Sequence, residues 1–171
     1  MKKLWGTLIL CLCLTIIAGC SGRQELGLYI LPQSKINENM SASELGAVAL
    51  ESGRKALSGE DFAGVDWENQ LFVLRPQASP SVSVVTAESG GCSLLKSTGE
   101  DVFVWVLGKK ALYVGGFRKG SAAVGVQRHP YIVDRERYTF SIVGDGSKQD
   151  KRFDKKLYNY FYSNGLIKTE I

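Results

Sequence analysis

Six consecutive apolar residues, Val102-Phe103-Val104-Trp105-Val106-Leu107, constrain the fold of this chain more than any other stretch. In an extended strand Val102, Val104 and Val106 face one way and Phe103, Trp105 and Leu107 the other. Neither face suits water, so the strand belongs in a sheet covered on both sides. Gly108-Lys109-Lys110 supplies a turn, and Leu112-Tyr113-Val114-Gly115-Gly116-Phe117 returns. This makes 102–117 the clearest hairpin in the sequence.

Other elements gather around it. Leu26 to Leu31 is strand-like and Pro32 ends it. Residues 41–57 support two readings. Ser41-Ala42-Ser43-Glu44 has capping-box spacing, which points to a helix, whereas Gly46 and Gly53 weaken one; the balance favours a strand at Ala47 to Leu50. Ser58 caps a single helical turn through Phe62, and Asp66-Trp67-Glu68-Asn69 leads into a strand over Leu71 to Leu74. Ser81 to Val85 alternates like an edge strand, and Cys92 to Leu95 suits a helical turn. Tyr131 to Val133 is a short strand. Tyr138, Phe140 and Ile142 alternate with polar residues, as in a half-buried strand. A C-terminal helix starts at an Asp150 cap, carries the stripe Phe153, Leu157, Tyr160 and Phe161, and stops at Asn164-Gly165. The expected fold class is α+β: a mainly antiparallel sheet built around the 102–117 hairpin, with the C-terminal helix packed on one face.

The N-terminus states where the chain works. Lys2 and Lys3 precede an apolar run from Leu4 to Ile17, shorter than the roughly 20 residues of a membrane span. Ile17-Ala18-Gly19-Cys20 follows and resembles the lipobox of bacterial lipoproteins. The resemblance implies that residues 1–19 are a signal peptide, and that Cys20 carries a diacylglyceryl thioether and fatty acylation such as palmitate. The protein is then expected on the extracytoplasmic side of the cell membrane or outer membrane. Residues 20–25 form a short tether, and five extended residues reach at most about 17 Å. Residues 26–171 are expected to make a single globular domain, a size that buries a proper core.

Cys11 and Cys13 leave with the signal and Cys20 is lipidated, so Cys92 remains alone and no internal disulfide forms. At 44% hydrophobic and 22% charged, the composition is globular. Loss of Lys2 and Lys3 lowers the formal charge from +4 to +2, which gives no case for nucleic acid.

Three blocks of the domain resemble a group of small bacterial lipoproteins with no assigned activity. They are Asp61-Phe62 with Asp66-Trp67 and Leu71 to Leu74; Val102-Phe103-Val104 with Gly108-Lys109, Leu112-Tyr113, Gly115 and Phe117; and Asp150, Arg152, Asp154 with the helix ending at Gly165. The chain departs from that group's pattern at Arg118, where Trp is frequent, and in Ser121-Ala122-Ala123-Val124-Gly125, where serines are more numerous. The resemblance implies no catalytic residue.

Chemistry is sparsely marked. Cys92 and His129 are a nucleophile–base pair only if the fold unites them; a small buried cysteine and a loop histidine before Pro130 explain the same residues. One His and one Cys do not complete a zinc site without carboxylates. Asp145-Gly146-Ser147 with Asp150 misses calcium-loop spacing, and Lys148 intrudes. Glu60, Asp61, Asp66 and Glu68 surround Trp67 as glycosidase carboxylates would, or as turn caps would. Gly115, Gly116 and Gly120 lack the ending of a phosphate loop. No cofactor or metal is expected. Arg118, Lys119, Arg128 and His129 make one loop basic, a candidate site for an anionic lipid headgroup or wall polymer. The function expected is a lipid-anchored binding or interaction module of the cell envelope. The alternative is a small envelope hydrolase using Cys92 and His129, or the Glu60 to Glu68 carboxylates.

Overall fold

A computed structural model describes residues 24–76, 94–118, 130–135, 138–144 and 150–168. The strands are β1 (Leu26–Pro32), β2 (Arg54–Ser58), β3 (Phe62–Asp66), β4 (Leu71–Leu74), β5 (Asp101–Leu107), β6 (Lys110–Phe117), β7 (Tyr131–Asp134), β8 (Thr139–Val143) and β9 (Ile167–Lys168). The helices are α1 (Ala42–Ser52) and α2 (Lys155–Ser163). Among the described residues nine strands join one sheet in the order β2-β1-β5-β6-β7-β8-β4-β3-β9. The fold is α+β and the sheet is antiparallel-dominated, but it is mixed: β6 runs parallel to β7, and β3 to β9.

The connectivity forces the sheet to curl. β2 ends the order at one side and β3 stands seven places away. In a flat sheet seven spacings amount to about 34 Å. Only a three-residue 3-10 turn, Gly59–Asp61, joins the two strands, and the four steps from Ser58 to Phe62 reach at most about 14 Å. Ring contacts show the closure. Phe62 of β3 and Phe72 of β4 lie 5.8 and 5.9 Å from Trp105 of β5.

Two cores result, of different composition. The concave side holds Phe62, Phe72, Phe103, Trp105, Phe117, Phe140 and, from α2, Phe161. Facing walls of a curled sheet stand far apart, and large rings fill that gap. On the convex side Val102, Val104 and Val106 pack beneath α1 through Leu45 and Ala49. Helix and strand approach closely here: a Cβ at Gly46 would collide with the Lys109 carbonyl. The double coverage expected for 102–107 is thus supplied by aromatics on one face and a helix on the other.

Several expectations need correction. Residues 47–50 are helical, not a strand. The Ser41 Oγ accepts the Glu44 N–H at 3.3 Å, and the Glu44 carboxylate accepts the Ser41 N–H at 2.8 Å. The reciprocal cap outweighs Gly46, which serves packing. β2 and β3 form where the sequence carries no clear strand pattern. Asp150 caps a 3-10 turn, Lys151–Phe153, while Asp154 caps α2 by accepting the N–H groups of Lys156 and Leu157 at 2.8 and 3.0 Å. Phe153 lies outside the helix and is 45% exposed, so it is not part of the buried stripe. The C-terminal stop agrees with expectation. Gly165 has φ +68°, and Leu166 and Gly165 donate to Phe161 and Tyr162 in a Schellman pattern. Ser81 to Val85 and Cys92 fall outside the described residues.

Candidate functional site

Two of the four carboxylates near Trp67 are occupied by turn-forming work. Asp61 accepts the Ser58 N–H at 2.6 Å and the Ser58 hydroxyl at 2.8 Å, closing the turn into β3. Asp66 accepts the Asn69 side-chain amide at 2.7 Å and its backbone N–H at 3.0 Å. These bonds to Asn69 hold the Asp66 carboxyl below its ordinary range. Glu60 and Glu68 are exposed. The arrangement forms turns and offers no facing acid and base.

Cys20, Cys92, Lys119, Arg128 and His129 lie outside the described residues, so the Cys92–His129 pairing is not placed. The same holds for the 145–149 turn. Arg118 is exposed at the end of β6, and its backbone N–H donates to Ile132 at 3.3 Å. The chain enters β1 at the opposite end of this hairpin: Leu26 pairs with Leu107, and the Gly108 N–H donates to the Glu25 carbonyl at 2.9 Å. Eight strand steps from Lys110 to Arg118 amount to about 26 Å.

Four rings form a strip at the surface. Trp67, in the β3–β4 turn, meets Phe153 at 6.1 Å and Tyr158 at 5.3 Å, and Tyr158 stacks on Tyr162 at 5.8 Å. Trp67 and Tyr158 are half-buried, Phe153 is 45% exposed and Tyr162 66%. Below the strip, Gln70 is buried at φ 51° and donates its amide to the Trp67 carbonyl at 2.8 Å. Its own carbonyl accepts the Ile142 N–H, which pins the turn to β8. Arg152 lies 5.2 Å over Phe153 while its Nε donates to Asp150 at 2.7 Å and its Nη1 to the Ile142 carbonyl at 2.9 Å. The strip escaped sequence reasoning because Phe153 falls in helical phase with Leu157. The one available signal was Tyr162, off that stripe.

The concave core carries its own polar groups. Trp105 Nε1 faces the Tyr113 phenol oxygen without reaching hydrogen-bond geometry. Burial, with the nearby charge of Asp154, pushes the Tyr113 phenol far up, so it stays protonated.

Shallow depressions complete the surface. One of about 450 Å³ is lined by Gln24, Leu107, Gly108, Lys109, Lys110, Leu112 and Lys156. A neighbouring polar cleft holds Glu25, Lys55, Glu60, Arg75 and Tyr160. Another, beside α1, is lined by Ile36, Met40, Leu45 and Lys151. Among the described residues no His, Cys, Asp or Glu side chains gather into a metal-holding group, and no helix is long and apolar enough to cross a membrane. No protein-family model, curated protein or solved structure matches the chain.

Proposed function

We propose that the chain is a lipid-anchored envelope protein whose single domain is a binding module held at the extracytoplasmic membrane surface through Cys20. The aromatic strip is the observation that carries the binding reading. Isolated exposed rings are ordinary, whereas a contiguous surface array marks a contact site. Trp67, Phe153, Tyr158 and Tyr162 form such an array. The same reading takes α2 as packed on the concave sheet face; Phe161 supports this, with ring centroids 5.2 Å from Phe62 and 6.1 Å from Trp105. It also keeps the kinship with the small lipoproteins of similar sequence blocks.

Arg118, with Lys119, Arg128 and His129, is the second candidate contact. Its distance from the tether end favours an anionic wall polymer over a lipid headgroup as that loop's ligand. Among the described residues no observation favours the carboxylate hydrolase, since Asp61 and Asp66 are engaged in turns.

Sedimentation with insoluble wall material tests the binding reading, using the lipidated full-length protein in detergent. Retention is expected to fall in Phe153→Ser/Tyr162→Ser and in Arg118→Ala. Unchanged retention in both variants, with unchanged thermal midpoints, would remove the binding-module reading.

A further inference from the structure

We propose that the hairpin end of the domain docks on anionic phospholipid headgroups through Lys109, Lys110 and Lys156. The inference rests on the reading of Cys20 as the lipid anchor and adds how the anchored domain stands on its membrane.

Geometry puts these lysines beside the tether. Gln24 lines the same depression as Lys109, Lys110 and Lys156. From Cys20 to Gln24 is four residue steps, at most about 14 Å. An acyl chain on Cys20 therefore keeps this end of the molecule at the headgroup layer, whatever path the tether takes. Arg118 stands about 26 Å along β6, several Debye lengths away at physiological salt.

The charge pattern agrees. All three lysines are exposed, and none is engaged in an ion pair among the described residues. Two acids lie near the entry of the chain: Glu25 is bound by Lys55, and Glu60 shares the neighbouring cleft with Lys55 and Arg75. Lys156, with Lys155, occupies the first turn of α2, where no acidic side chain follows the Asp154 cap. The helix dipole disfavours cations at that end. Folding alone gives little reason to place two lysines there, while an anionic surface would stabilise both. Leu107 and Leu112 line the same depression, apolar surface of the kind that lysine stems cover.

Each lysine at an anionic surface adds roughly fivefold to association. A diacylglyceryl group, with two acyl chains, already anchors the protein stably; the lysines set how the domain stands on the surface.

The test uses the lipidated full-length protein in vesicles of phosphatidylcholine, with or without phosphatidylglycerol. Lysines are acylated by a neutral reagent and quantified by mass spectrometry. Lys109, Lys110 and Lys156 are expected to react several-fold more slowly in phosphatidylglycerol vesicles, and the difference should vanish in 1 M salt. Lys35, beyond the far end of β1, should react equally in both. If the protein floats with both vesicle types and the three lysines react alike in each, the anchor stands and the docking surface falls. If it floats with neither, the anchor reading itself falls. Protection by dextran sulfate but not by phosphatidylglycerol would overturn the lipid assignment in favour of a wall polymer.

Discussion

Trp105 sits at the centre of the concave core, fully buried and ringed by Phe62, Phe72 and Phe161. Truncating a buried aromatic costs roughly 3–5 kcal/mol, a large share of the about 5–15 kcal/mol that holds a domain together. Trp105→Ala should therefore lower the urea midpoint strongly, whereas Arg118→Ala should leave it nearly unchanged. Trp105→Phe should be milder than Ala, because it removes the unpartnered indole N–H along with part of the ring. Asp66 contributes to the acid response. Its folded pKa lies below the unfolded value of about 3.9. The stabilisation is thus complete above the unfolded pKa and disappears as pH falls through the folded one. Urea midpoints of the wild type and Asp66→Asn should differ at pH 6 and converge as the pH falls through the lowered folded pKa.

Helix caps show how far local sequence carries and where it fails. The sequence points to Asp150 as the cap of the terminal helix, whereas the structure puts that cap at Asp154. Only the chain's change from a 3-10 turn to an α-helix separates the two. Asp154→Ala should cost about 1 kcal/mol, visible as a lower thermal midpoint with the helix signal reduced. The box at Ser41 and Glu44 was also legible, but Gly46 counted against it for a reason that applies to isolated helices. Here the missing side chain lets α1 lie on the hairpin backbone. β5 and β6 were readable because both faces of 102–107 are apolar. β2 and β3 were not: Arg54-Lys55-Ala56-Leu57 and Phe62-Ala63-Gly64-Val65 are short, broken by charge or glycine, and paired with strands far away or across a bulge. The aromatic strip was hidden similarly. Trp67 and Tyr158 lie 91 positions apart in the chain and meet only through the fold.

Curling is a property of the whole molecule, set by the brevity of Gly59–Asp61 against the width of the sheet. No single segment carries that information. The proposed N-terminal address, by contrast, rests on an entirely local motif. Cys20→Ala should abolish palmitate labelling and leave the uncleaved precursor, since thioether formation needs that sulfur; retention of a shortened, unlipidated protein in the membrane fraction would contradict the anchor. The proposed anchor at Cys20 has a mechanical consequence. The tether continues directly into β1, all seven residues of which are paired with β5, while β2 holds its other edge. Ladder hydrogen bonds lie perpendicular to the strand, so drag on the domain loads them side by side, in shear, instead of unzipping them one at a time. With the chain held through Cys20 as proposed, tension from the membrane meets first a strand paired along its full length, and the two-residue β9 is spared it.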